Sequence, residues 1–170
     1  MDCIYLTLTN FQYKMVIMKR FQSVCLLLFM SVAILPGNKV LAQARPHFNH
    51  LTVYVVDLKK SADFYEKVFQ LEVIPEPFHD NKHVWFKITD HGELHVVSGA
   101  KEMAPHDINI HLAFTVPDLP AFMKRLDGLS VKYGNWAGDP KQVQVRPDKI
   151  DQIYLQDPDG YWIEVNNDKF

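Results

Sequence analysis

Cysteine is nearly missing from this 170-residue chain: there are two, Cys3 and Cys25, and both fall within the first 42 residues. Beyond residue 42 no disulfide framework and no thiol chemistry are available. An excess of one charge is also missing. The chain has 18 basic and 20 acidic residues, a formal net charge of −2. It has no Lys/Arg run and no basic stripe, so nothing in it is built for nucleic acid. A long hydrophobic run is lacking too. The apolar stretch at 23–35 is shorter than the roughly 20 residues a membrane-spanning helix needs.

What the N-terminus does contain is MKRFQSVCLLLFMSVAILPGNKVLAQ, from Met18. Lys19 and Arg20 form a positive n-region, the stretch 23–35 is uncharged, and Val40-Leu41-Ala42 is a small-residue cleavage site. The pattern predicts a secretory signal peptide over 1–42, cut after Ala42. The mature protein is then exported, periplasmic or secreted, with no stable membrane anchor. Residues 1–14 precede the n-region and resemble no part of a signal, which places the true start at Met15 or Met18. Cys25 opens the apolar run instead of following it, so it is not a lipid-attachment site. Cleavage removes Lys14, Lys19, Arg20, Lys39 and Asp2, leaving 14 basic and 19 acidic residues, net −5, and all eight histidines. With 48% hydrophobic residues in the whole chain, the remainder reads as one packed domain over 43–170.

Within that domain one pattern occurs twice. HLTVYVVDL starts at His50 and HLAFTVPDL at His111, 61 residues later. Leu51, Val53 and Val55 alternate with His50, Thr52 and Tyr54, and Leu112, Phe114 and Val116 alternate with His111, Ala113 and Thr115. That is strand periodicity, with each histidine on the more polar face. Each strand runs into a helical pattern. The first is LKKSADFYEKVFQL, with Asp57 or Ser61 as its N-cap; the second is LPAFMKRLDGL, with Pro120 in its first turn. Further strands are expected at 72–75, 83–88 and 93–97, and at 131–133, 141–146, 152–156 and 161–166. Thr89-Asp90-His91-Gly92 and Asp157-Pro158-Asp159-Gly160 form the hairpin turns. Each half reads β-α-β-β-β. The predicted class is α+β, two paired βαβββ modules enclosing a half-barrel cavity, with module one at 47–98, a linker at 99–108 and module two at 109–167. Neither half is large enough to bury a sufficient core alone.

A sheet covered by a helix on one face leaves its other face free. His50 and His111 begin equivalent strands on that face. In the last strand of module two, Ile163 and Val165 are aliphatic and Glu164 points the opposite way; in module one Leu94 and Val96 bracket His95, with Glu93 on the same side. Two or three imidazoles and one carboxylate converging on one cavity suit a single divalent metal ion, with zinc, nickel, cobalt, manganese and ferrous iron all acceptable. Counted from the turn glycine, His95 lies three residues after Gly92 and Glu164 four after Gly160, so the two do not share a register on this count. Tyr54, Thr115 and Trp162 share parity with these residues and line the same face. Arg146, Lys149 and Gln152 precede the final hairpin and are placed to meet an anionic substrate tail. His47, His79, His83, His91 and His106 fall in tails, loops or turns and read as solvated surface.

The repeated H-L-x-x-x-V-x-D-L, the βαβββ halves and the closing QIYLQDPDGYWIEV resemble the vicinal oxygen chelate superfamily, which includes glyoxalase I, fosfomycin-resistance transferases, bleomycin-resistance proteins and extradiol dioxygenases. The likeness covers residues 47–167, and D-P-D-G-x-x-I-E at 157–164 is its most specific part. It implies metal ligands at His50, His111 and Glu164, with His95 at the second position. Glyoxalase I usually has Glu there, so His95 is a departure and Glu93 stays an alternative. It also implies a metal-dependent lyase or isomerase of glyoxalase type, with Glu164 as the proton-shuttling group and a small oxygen-chelating molecule as substrate, acting as a homodimer. An extradiol-type dioxygenase, a fosfomycin-resistance-like transferase and a non-catalytic small-molecule binder are the alternatives. Intact-mass analysis of the exported protein should find a chain starting at Gln43; Met1 on the mature protein would overturn the leader assignment.

Overall fold

The computed structural model describes residues 45–169; the expected leader and its cut after Ala42 lie outside them. The fold is α+β, as the sequence predicts. In chain order the elements are β1 (His50–Val55), α1 (Leu58–Phe69), β2 (Glu72–Ile74), β3 (His83–Lys87), β4 (Glu93–Ser98), β5 (His111–Thr115), α2 (Leu119–Gly128), β6 (Tyr133–Gly134), β7 (Gln144–Val145), β8 (Asp151–Gln156) and β9 (Trp162–Asn166). One sheet runs β1-β4-β3-β2 and the other β5-β9-β8-β6, with β7 also on β8. In both, the first strand lies parallel to the last. Among the described residues no closed barrel forms, and β1 and β5 are each an edge of their own sheet.

The repeated nonapeptide is a strand followed by its exit. Asp57 and Asp118 sit in extended backbone and cap the helices that follow. The Asp57 carboxylate accepts from the Lys60 N–H at 3.0 Å and Asp118 from the Ala121 N–H at 2.8 Å, each such cap being worth about 1 kcal/mol. The αL residue Gln70 ends α1. The strands at 131–133 and 141–146 are shorter than their periodicity predicts, reduced to Tyr133–Gly134 and Gln144–Val145. Val131 N–H is spent on the Leu126 carbonyl at the end of α2, and Lys141 adopts a positive φ of 60°.

The aliphatic face of each strand supplies the core. Val53, Val55, Phe86, Leu94 and Val96 from one sheet, and Ile153, Leu155, Ile163 and Val165 from the other, are all at most 1% exposed, packed with Tyr65, Val68, Leu119 and Leu126 of the helices. Each such side chain contributes about 1.5–3 kcal/mol on burial.

The modules are joined by the second hairpin turn. Asp157 and Asp159 are 6% and 4% exposed. Asp159 accepts from the Val56 N–H (2.7 Å) and from the Ser61 hydroxyl of α1 (2.5 Å), and Asp157 from the Tyr65 hydroxyl of α1 (2.8 Å). The Tyr161 hydroxyl accepts from the Tyr54 N–H at 3.1 Å and donates to the Tyr54 carbonyl at 3.3 Å. The turn therefore supplies partners to the open edge of β1 that a neighbouring strand would otherwise supply. Elsewhere, Phe69 at the end of α1 stacks on Phe114 of β5 (4.5 Å) and meets Phe122 of α2 (5.6 Å), and Arg125 donates to the Lys67 carbonyl at 2.5 Å.

Burial raises the pKa of the Asp157 carboxyl above its ordinary value, against hydrogen bonds from Tyr65 and from the Tyr161 and Asp159 N–H groups that lower it. A carboxyl with a raised folded-state pKa contributes most stability below its unfolded pKa, and that contribution is lost as pH rises through the folded value. Asp157→Asn should therefore lose less stability than wild type as pH rises from about 4, measured by urea unfolding across pH. A steeper loss in the variant would contradict this.

Candidate functional site

The uncovered face of the second sheet carries an imidazole–carboxylate pair. His111 opens β5, and its Nδ1 lies 2.7 Å from the Ile108 carbonyl. A carbonyl only accepts, so Nδ1 carries a hydrogen and the ring is turned with Nε2 away from the backbone. That Nε2 lies 3.4 Å from Glu164 Oε2. Glu164 is 7% exposed, a burial an acid tolerates only with donors around it. Tyr154 donates to Oε2 at 2.9 Å, the Asn166 amide donates to Oε1 at 2.7 Å, and Arg146 Nη1 stands 3.9 Å from Oε1. Gln152 in turn donates to the Tyr154 oxygen at 2.8 Å. Burial, then the hydrogen bond and charge of Glu164, push the Tyr154 pKa far above the ordinary phenol range, so Tyr154 remains a neutral donor.

The uncovered face of the first sheet carries a different arrangement. The His50, His95 and Trp85 rings form one stack, with centroids 4.2 Å and 3.9 Å apart. His95 Nε2 lies 2.8 Å from Glu93 Oε2, and His50 Nδ1 lies 2.6 Å from the Asn49 side-chain oxygen. The structure thus brings His111 to Glu164 and His50 to His95. Among the described residues, no group of three or more His, Cys, Asp or Glu side chains gathers for one ion within a single chain. A cavity of about 960 Å³ beside the β6–β8 edge takes in Tyr133, Tyr154 and Trp162 but neither His111 nor Glu164.

The register question resolves in the ladders. Thr52 pairs with His95 and Ala113 with Glu164, and Thr52 and Ala113 correspond in the repeat, so His95 and Glu164 are equivalent positions after all. The extra residue in the second turn is Tyr161, which leaves the strand to reach β1. Of the remaining residues, Tyr54 is 51% exposed, the Thr115 hydroxyl donates to the Asp168 carbonyl (2.7 Å) and Trp162 Nε1 to the His106 carbonyl (3.0 Å). Arg146 is held by Asp148 at 2.6 Å, and Lys149 is an exposed turn residue with a φ of 73°. His83 and His106 are not free surface: His83 stacks on Phe78 and pairs with Asp80 at 2.8 Å, and His106 stacks on Tyr161. Sequence reasoning missed Tyr154, Asn166 and Trp85. Counting back across each hairpin turn finds two of them, because Tyr154 pairs with Glu164 and Trp85 with His95.

Two matched modules, β-α-β-β-β and the same order with the short extra strand β7, each opening on a histidine beside a strand that carries an ionisable side chain, define the vicinal oxygen chelate class. The chain belongs to the Glyoxalase/Bleomycin resistance protein/Dioxygenase superfamily, whose family model matches residues 47–165. It is 27% identical to lactoylglutathione lyase of Pseudomonas putida, over 77% of this chain and 92% of that one. It is 30% identical to metallothiol transferase FosB of Bacillus licheniformis, over 76% and 77%. Among solved structures it superposes on Oxidase ChaP-H2 with a TM-score of 0.62 at 22% identity, covering 75% of this chain and 97% of that one. It superposes on lactoylglutathione lyase from Agrobacterium tumefaciens with a TM-score of 0.55 at 19% identity, covering 74% and 96%.

Tyr154→Phe strands the Gln152 amide and removes one donor from Glu164. It should lower the unfolding free energy by about 1–3 kcal/mol, and Gln152→Leu in the same background should cost less than it does alone. Strictly additive urea-unfolding energies would show that the three side chains do not act as one network.

Proposed function

We propose that the protein is an exported, divalent-metal-dependent enzyme of glyoxalase I type, working as a homodimer on a small substrate with two adjacent oxygens. The observation that carries this is the pair on the second sheet. His111 Nδ1–H is tied to a backbone carbonyl, and its Nε2 stands beside the Glu164 carboxylate. Metal-binding histidines are oriented in this way, and an N/O donor set without thiolate fits zinc, nickel, cobalt, manganese or ferrous iron. One chain offers two such donors here and His50 on its other face. A two-fold pairing of copies would set each His50 against the other copy's His111 and Glu164, giving two identical sites. Exposed Ile110 and Val145, at 77% and 59%, lie next to this face, as a buried contact between copies requires.

A bound divalent ion supplies Lewis acidity to a substrate that chelates through neighbouring oxygens. The chain's own residues do the rest. The Glu164 carboxylate takes the proton from the carbon that bears the hydroxyl and returns it to the neighbouring carbonyl carbon, while the hydroxyl proton passes to the carbonyl oxygen. Tyr154 and Asn166 hold that carboxylate in one orientation. Arg146 and Lys149, at the rim, meet an anionic part of the substrate. The FosB likeness, at 30% identity, supports a second reading as a thiol transferase, for which His50, His111 and Glu164 would supply the His-His-Glu set that fosfomycin enzymes use.

The test is metal content of the purified mature protein, followed by turnover of hemithioacetals, epoxides with thiol, and catechols. Near-stoichiometric metal is expected, lost in His111→Ala. With Glu164→Gln, hemithioacetal turnover should fall by about 10²–10⁴-fold. Metal-free protein that binds a small molecule tightly would replace the enzyme reading with a binding protein.

A further inference from the structure

The duplication creates three pairs of equivalent positions on the uncovered faces. His50 corresponds to His111, His95 to Glu164, and Trp85 to Tyr154, since Trp85 pairs with His95 as Tyr154 pairs with Glu164. The two halves use these positions differently. In the second half the side chains meet through polar atoms at Glu164: His111 Nε2 is 3.4 Å from it and the Tyr154 hydroxyl 2.9 Å, with the two rings 82° apart. In the first half they meet face to face. Trp85 and His95 are 1° from parallel at 3.9 Å, and His95 and His50 are 8° from parallel at 4.2 Å.

Stacking decides what His95 can do. A metal ion lies in the plane of a ligating imidazole, about 2.0–2.1 Å from the nitrogen. Two nearly parallel rings stacked on each other have planes that do not meet near either ring. One ion therefore cannot lie in both planes while the stack stands. His95 Nε2 is also spent on Glu93 at 2.8 Å, and the residue is only 9% exposed. Glu93 is the cross-strand partner of His50, so the carboxylate that fixes the His95 edge belongs to the same stretch of face. His50, in contrast, is gripped twice without using Nε2: Asn49 takes Nδ1 at one edge, and His95 covers one ring face.

We propose that His95 is a positioning residue and not a metal ligand. Backed by Trp85 and pinned by Glu93, it is the plate that holds the His50 imidazole with Nε2 directed outward. The protein donors for the ion are then three, His50, His111 and Glu164. This rests on the reading that His50 ligates a divalent ion, and the test separates the two. In His95→Phe a flat ring remains but no nitrogen; in His95→Ala the plate is gone. Cobalt(II) affinity by calorimetry should stay within about threefold of wild type for His95→Phe and weaken about 10–100-fold for His95→Ala, as for other residues that orient a ligand. The cobalt absorption spectrum, which reports the donor set, should be unchanged in both. A His95→Phe protein that loses cobalt as fully as His50→Ala, or whose spectrum changes, would make His95 a ligand and overturn the proposal. The metal-free protein gives a second readout by NMR. The His50 ring protons should show the shift of a ring held against a stack in wild type and in His95→Phe, and the average position of a free imidazole in His95→Ala. An unmoved His50 signal in His95→Ala would overturn the positioning role whatever the metal does. Failure of wild type to bind cobalt would overturn the His50 ligand reading instead, and the NMR comparison would still decide the stack.

Discussion

Both uncovered faces depend on two buried carboxylates that belong to neither of them. Asp157 and Asp159 cross from the second module into the first and take the hydroxyls of Tyr65 and Ser61 and the N–H of Val56. Without that turn, the edge of β1 would carry unpaired backbone groups against the other half, and the two halves would be held together only by apolar packing around Phe69 and by the Arg125 hydrogen bond. The hydrophobic core supplies most of the free energy. The carboxylates supply direction, because hydrogen bonds are angular and burial of aliphatic surface is not.

The two halves have the same ladder and different chemistry. At three matched positions one half has His, Glu and Tyr, and the other has His, His and Trp. The first set forms a chain of hydrogen bonds that ends on a carboxylate; the second forms a pile of rings. An acid buried on a sheet face needs donors, and Tyr154, Asn166 and Arg146 answer Glu164. The imidazole there has one acceptor at Nε2 and two flat neighbours, which Glu93, Trp85 and His50 provide.

Much of this was legible in the residues, for stated reasons. A period-two pattern that ends in Asp-Leu reads directly as strand, cap and helix, and Asp57 and Asp118 do cap α1 and α2. The placement of His50, His111 and Glu164 on uncovered faces followed from parity alone. What parity could not give was partnership across the chain. Counting from the turn glycine set His95 and Glu164 one step apart, because it took Tyr161 for a strand residue. Side-chain rotation was equally hidden: nothing in the order of residues distinguishes an imidazole that meets its neighbour by its edge from one that lies flat on it. The carboxylates of the second turn were visible as turn chemistry, but their partners, 92 to 103 residues away, were not.

The clasp is one-sided. Module two carries Asp157 and Asp159; module one carries the receiving Ser61 and Tyr65, and the matched places in α2 are Phe122 and Leu126. A chain that opened would therefore display one hook and one eye, complementary to those of any other opened chain. Exchange between two such chains gives an interlocked pair, and exchange without closure gives a string. The short tether between the halves works against both by keeping each chain's own hook at high effective concentration beside its own eye. Lengthening that tether would loosen the molecule's hold on itself before it disturbed any residue of the two faces.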